Sequence, residues 1–91
     1  MIKKVILTGR VQGVGCRGYC AKYARNFRIN GSASNMYDGS VKLILNINDE
    51  EIFQRYITSL MTNPDRYMFW GIIDDISISD YSGKTDGDYN F

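Results

Sequence analysis

Histidine is absent from this chain of 91 residues, and its absence closes off a large part of enzyme chemistry. Imidazole general acids and bases, Ser-His-Asp triads and His-ligated metals are all excluded. There are two cysteines, too few to hold a structural zinc without histidine to complete the set. The single proline leaves few chain breakers, and no apolar run approaches the roughly 20 residues that span a bilayer. Charge of one sign is lacking too: 11 Lys and Arg against 10 Asp and Glu leave a net charge of +1. That balance implies no bulk electrostatic partner, and a basic face for nucleic acid is not expected. The opening MIKKVILTGR has two lysines and a short apolar run, but no h-region of secretory length and no cleavage site. It reads as the first strand of a cytoplasmic protein, with residues 1–91 forming one domain.

Hydrophobic residues make up 44% of the chain and charged residues 23%, which suits a small globular core rather than a disordered segment. Along residues 2–9, Val5 and Leu7 alternate with Lys4 and Thr8, the pattern of a strand. From residue 18, Cys20, Tyr23, Ala24 and Phe27 fall at helical spacing, and Arg25 and Arg28 sit near the negative end of that helix. Asn30-Gly31 is expected to stop it in the left-handed conformation. Asp38-Gly39 then separates two strand-like runs, a hairpin signal, and Val41, Leu43, Leu45 and Ile47 share one face of the second run. In NDEEIFQRYITSLM, Asn48 is the expected cap with Glu51 reaching back, and Ile52, Phe53, Tyr56, Ile57, Leu60 and Met61 form the buried stripe. Pro64 follows the helix. A long strand is expected in MFWGIIDDISISD, built on Trp70, Ile72, Ile76 and Ile78 with a bulge near Gly71, before a short terminal strand, YNF. The order β-α-β-β-α-β plus that strand predicts an α+β ferredoxin-like sandwich, two helices on one face of an antiparallel sheet.

The chemistry concentrates in GRVQGVGCR, where a glycine-rich loop joins the first strand to the first helix. The leading N–H groups of a helix lack internal partners, and glycines let them converge on one anion. Gly13, Val14, Gly15, Cys16 and Arg17 are therefore candidates for a phosphate cradle, with Arg17 adding a charged fork of donors. The same residues also fit a tight strand-to-helix turn bearing a surface arginine. They match neither the Gly-Lys-Ser/Thr phosphate loop nor the dinucleotide fingerprint. Cys16 and Cys20 read either as a redox pair or as two small reduced core residues.

GRVQGVGCR resembles the first signature of the acylphosphatase family, and GSASNMYDGSV, residues 31–41, resembles the second. The resemblance extends over nearly the whole chain. It implies hydrolysis of the carboxyl–phosphate bond of acyl phosphates without metal, cofactor or phosphoenzyme. The family's phosphate-binding arginine falls on Arg17, its water-holding asparagine on Asn35, and its loop amides on residues 13–17. Taken alone, Asn35 reads more readily as an ordinary turn asparagine before a hairpin, and it is the match of both motifs that turns the reading. Four positions depart from the family pattern: Cys16 replaces a phenylalanine, Ser32 an aromatic residue, Ser34 a basic or long one, and Ile47 a common glycine. None of these removes a proposed catalytic group.

The implied partner is a small acyl phosphate, with no nucleic acid, no membrane and a monomeric protein. A non-catalytic phosphate- or carbamoyl-phosphate-binding module on the same fold is the alternative. An RNA-binding domain of this fold is disfavoured because the Lys/Arg-Gly-aromatic stacking motif is missing.

Overall fold

The computed structural model describes all of residues 1–91. Strand β1 (Ile2–Arg10) leads into helix α1 (Cys16–Asn26), followed by β2 (Asn30–Asn35), β3 (Val41–Asn46), α2 (Glu50–Thr62), β4 (Ile72–Asp80) and β5 (Tyr89–Asn90). The strands form one antiparallel sheet in the order β4-β1-β3-β2-β5. The expected ferredoxin-like α+β sandwich is what the chain forms, with β5 added beside β2.

Alternation along the central strands builds the core. Val5 pairs with Leu43, Leu7 with Val41, and Ala33 with Leu43, and every one of these side chains is fully buried. Burying a Val or Leu side chain in this way contributes about 1.5–3 kcal/mol. The helices close the other side with Tyr19, Cys20, Ala24, Phe53, Tyr56 and Leu60. Two buried phenols cross-link the helix pair in opposite directions. Tyr19 of α1 donates to the Ser59 carbonyl at 2.6 Å, and Tyr56 of α2 donates to the Cys20 carbonyl at 2.8 Å. Burial, ahead of the neighbouring groups, pushes both phenols well above their ordinary pKa, so they stay protonated donors.

Several local expectations shift. Helix α1 begins at Cys16, two residues before its apolar spacing becomes regular, because Gly15 turns the chain left-handed and Cys16 is itself buried. The left-handed residue after α1 is Arg28, at φ 58°, while Asn30 and Gly31 already belong to β2. Gly31 is needed for contact instead: a Cβ there would stand 2.0 Å from the Ile44 carbonyl oxygen. The cap of α2 is Asp49 rather than Asn48, its carboxylate accepting from the Glu51 and Ile52 amides. Met61 is 69% exposed, because the last turn of α2 leaves an apolar groove against β4 uncovered. Trp70 lies outside β4 and is largely exposed, and Phe69 takes the core position instead. The register shift falls at Thr8/Gly9, opposite β4, rather than at Gly71.

The chain crosses from β4 at one sheet edge to β5 at the other through residues 81–88. Near its end Gly87 lies on Ser32 and Ser34, on the face away from the helices, where a Cβ would come within 2.2 Å of the Ser34 hydroxyl. The two buried serines are small where the family pattern is large, and that difference gives the returning segment its seat.

A Gly31→Ala substitution should lower unfolding free energy by about 1–3 kcal/mol, the usual effect of overpacking, because the new methyl meets backbone rather than a movable side chain. Urea denaturation of parent and variant measures it.

Candidate active site

Loop 11–15 carries the chain from β1 to α1, and its shape follows from two left-handed glycines, Gly13 at φ 73° and Gly15 at φ 83°. Gly15 is the N-cap of α1, but with no side chain it caps nothing, and the first turn of the helix contains no acidic residue. The leading amides of α1 thus keep their partial positive charge for an outside acceptor.

Three contacts fix the loop. The Gln12 side-chain amide donates to the carbonyls of Met36 at 2.7 Å and Ser40 at 2.9 Å, tying the loop to the β2–β3 hairpin. The Trp70 N–H donates to the Val14 carbonyl at 3.1 Å. Gly15 rests on the Met68 carbonyl, which would stand 2.0 Å from any added Cβ. The hairpin is braced in turn by Asp38, whose carboxylate accepts from the Ser40 hydroxyl at 2.6 Å and the Ser40 amide at 2.9 Å. Those two bonds, the hydroxyl's first, hold the Asp38 carboxyl below its ordinary pKa.

A cavity of about 160 Å³ opens over the loop, lined by Gly13, Gly15, Cys16, Arg17, Asn35 and Tyr89 among others. Arg17 comes from the first turn of α1 and Asn35 from the last residue of β2, so the structure brings the two side chains singled out in the sequence to one place. Val14 does not line the cavity; its side chain is buried in the core. Asn35 Oδ1 is buried and accepts no hydrogen bond from the protein. Such an orphaned acceptor ordinarily costs about 1–3 kcal/mol. A second orphan, Asn63 Oδ1, belongs to the cap of α2, where the same side chain donates to the Phe69 carbonyl. What distinguishes Asn35 is its position beside a guanidinium and a ring of amides.

Size alone would have pointed elsewhere. The larger cavity, about 360 Å³, lies between α2 and β4 and is lined by Ile57, Met61, Ile73, Ile76 and Ile78 with two aspartates. It offers an anion nothing but like charge.

Three residues at the site were not legible as functional in the sequence. Gln12 sits inside the quoted motif but carries no chemistry of its own. Asp88 and Tyr89 arrive from the C-terminus. The Asp88 carboxylate meets Arg17 Nη1 at 3.5 Å and accepts from the Asn35 N–H at 3.0 Å. The Tyr89 ring lies 5.8 Å from the Arg25 guanidinium.

The two cysteines are free, with Sγ atoms 3.9 Å apart and both side chains buried. The hydrogen bond to Cys16, followed by burial, pushes the Cys20 thiol well above its ordinary pKa. It is therefore a packed thiol rather than a nucleophile.

The geometry is that of a glycine loop, an uncapped helix start and an arginine around one cavity on a ferredoxin-like sandwich. Comparison with known proteins gives this class its family. Residues 3–90 match the acylphosphatase family. An acylphosphatase of Deinococcus radiodurans is 37% identical over 59 residues, covering 65% of this chain and 67% of its own. One from Corynebacterium glutamicum is 37% identical over 82 residues, covering 82% and 83%. The crystal structure of acylphosphatase from Bacillus subtilis superposes with a TM-score of 0.74 over 96% of each chain at 24% identity, a likeness of fold. This chain belongs to the acylphosphatase family, a family of hydrolases. No helix is long and apolar enough to cross a membrane.

Cys20 should resist alkylation by iodoacetamide at neutral pH in the native protein and react once urea unfolds it. Peptide mass spectrometry reads both states, and rapid native labelling of Cys20 would contradict the burial described.

Proposed function

We propose that this chain hydrolyses acyl phosphates to a carboxylate and inorganic phosphate, with Arg17 and the amides of loop 13–17 holding the phosphoryl group and Asn35 aiming the water. The observation that carries this reading is the convergence of Arg17, the glycine loop and the unpartnered Asn35 Oδ1 on one cavity. An acyl phosphate is a mixed anhydride whose carboxylate leaves readily, so the reaction needs little acid catalysis. It needs its phosphoryl charge neutralised and a nucleophile in line.

Each role follows from donor and acceptor chemistry. Arg17 presents up to five N–H donors in a rigid fork suited to phosphoryl oxygens. The loop amides add fixed dipoles that require no reorganisation during the reaction. Asn35 Oδ1 accepts a hydrogen bond from the attacking water and so turns a lone pair of the water oxygen toward phosphorus. The water oxygen bonds to phosphorus, the bond from phosphorus to the acyl oxygen breaks, and the carboxylate leaves with the electron pair. A carboxamide is too weak a base to keep the water's proton, and no carboxylate or imidazole lines the cavity. The proton therefore passes to a phosphoryl oxygen. No residue in this scheme requires a metal. The substrate is a small acyl phosphate, and the working unit is a monomer in the cytoplasm.

Benzoyl phosphate hydrolysis, followed spectrophotometrically in excess EDTA, tests the reading. Parent protein should turn over, and Arg17→Ala or Asn35→Ala should each lower kcat by about 10²–10³, as loss of one preorganised donor does. Arg17→Ala should also weaken inhibition by inorganic phosphate, whereas Asn35→Ala should leave it nearly intact. A folded parent that binds phosphate without hydrolysing benzoyl phosphate would overturn the proposal.

A further inference from the structure

Arg17 and Asn35 belong to different elements, and each has its own freedom to drift. The single atom that touches both is Asp88 Oδ2, which accepts from the Asn35 main-chain N–H at 3.0 Å and faces Arg17 Nη1 at 3.5 Å. We propose that Asp88 is a positioning residue, its carboxylate setting the Arg17 guanidinium in register with Asn35. The inference rests on the function proposed above.

The placement of Asp88 is built rather than incidental. Its own N–H donates to the Ser34 hydroxyl at 3.0 Å. The turn before it is closed from both sides by Asn90, which accepts from the Gly87 N–H at 2.9 Å and donates back to the Gly87 carbonyl at 3.2 Å. Gly87 in turn sits against Ser32 and Ser34, where a Cβ would stand 2.2 Å from the Ser34 hydroxyl and displace it. β5 then pairs with β2 through Ser32–Asn90 and Ala33–Tyr89. At the next step toward the site, the Asp88 side chain takes the Asn35 N–H in place of a strand carbonyl. The end of the ladder thus turns into a side-chain contact with the site.

Two readings of a carboxylate beside a phosphate-binding arginine compete. A competing anion would occupy the phosphoryl position and have to leave. A positioning group would stand outside the cavity and occupy a fraction of the arginine's donors. Asp88 is not among the residues lining the cavity. It engages one nitrogen of Arg17, and the remaining N–H groups are left for a ligand. Arginine is long and rotatable, and the structure gives its guanidinium no other hydrogen-bond partner within the protein. Removing Asp88 frees it. The pair is half exposed, at 39% and 49%, so it contributes little to stability and a variant should fold.

The test is benzoyl phosphate kinetics on the parent, Asp88→Ala, Asp88→Asn and the Arg17→Ala/Asp88→Ala double variant. Asp88→Ala should lower kcat about tenfold, since small misplacements of a catalytic group have effects of that size or larger, with KM changed less than about threefold. Asp88→Asn keeps an acceptor oxygen in place and should restore kcat to within about threefold of the parent. In the double variant, loss of Asp88 should add nothing to loss of Arg17, a coupling that a general structural defect would not show. The Asn35 amide, followed by NMR hydrogen exchange, should exchange faster in Asp88→Ala, a readout independent of turnover.

Unchanged kcat in Asp88→Ala would overturn the inference while leaving the enzyme intact. So would a lower KM and tighter phosphate inhibition in both variants, the signature of a competing anion. A folded but inert parent would remove the enzyme reading and the positioning role together.

Discussion

One side-chain amide sets the geometry on which the rest of the site depends. Gln12 Nε2 reaches from the glycine loop to the carbonyls of Met36 and Ser40, the two ends of the turn that follows Asn35. Without that clamp the loop would belong to β1 and α1, and Asn35 to a hairpin tip, with no hydrogen bond running directly from the loop to the hairpin. A backbone cradle works as an electrostatic device when its dipoles are already aimed before the ligand arrives. The proposed cradle is held in that sense by Gln12 on one flank, the Trp70 N–H on another, and the Met68 carbonyl beneath Gly15. Each restraint comes from a segment distant in sequence, so the cradle is a product of the whole fold.

The core has the complementary task of keeping α1 stationary. Its leading amides are useful only if the helix cannot slide along the sheet. Apolar packing alone resists sliding weakly, because greasy contacts are nearly non-directional. The reciprocal phenol bonds, Tyr19 to Ser59 and Tyr56 to Cys20, add direction. They fix the axial register of the two helices, and burial keeps both phenols protonated as donors. Cys16 and Cys20 fill the space beneath the loop at the same helix end. The small thiol at 16, where the family resemblance anticipates phenylalanine, is buried against Cys20.

What the sequence discloses follows the range of the interaction. Alternation of Val41, Leu43, Leu45 and Ile47 and the Asp38-Gly39 turn are local, and the strands stand where those signals put them. Cap choice is also local but finely balanced. Asn48 and Asp49 are both good caps, and Asp49 is the one whose carboxylate reaches the amides of Glu51 and Ile52. Met61 lies on the right stripe, yet whether it is covered depends on how far β4 extends beneath α2. Trp70 and Phe69 exchange inside and outside because residues 68–71 lie before β4, which begins at Ile72, and strand alternation does not govern them. At the candidate site, motif resemblance singled out Arg17 and Asn35, and both line the one cavity. Asp88 was not, since a lone aspartate in a polar tail carries no pattern; its meaning comes from a sheet edge assembled by pairing across more than fifty residues.

Ser32 and Ser34 connect these levels. As departures from a family pattern they look like losses, an aromatic and a long side chain replaced by hydroxymethyl groups. In the folded chain they are where the returning segment lands. A larger residue at either position would collide with Gly87, and without Ser34 Oγ the Asp88 amide would lose its acceptor. Displacing that segment by the width of a side chain would carry Asp88 out of reach of both Arg17 and Asn35. The small residues at 32 and 34 and the acidic residue at 88 are therefore one structural choice, made at positions far apart in the chain. A change at Ser34 propagates to the site through the hydrogen bond its hydroxyl accepts from the Asp88 N–H, and one at Ser32 through its contact with Gly87, rather than through the core. That dependence sets these two positions apart from ordinary packing serines, whose replacement would be felt in stability and nowhere else.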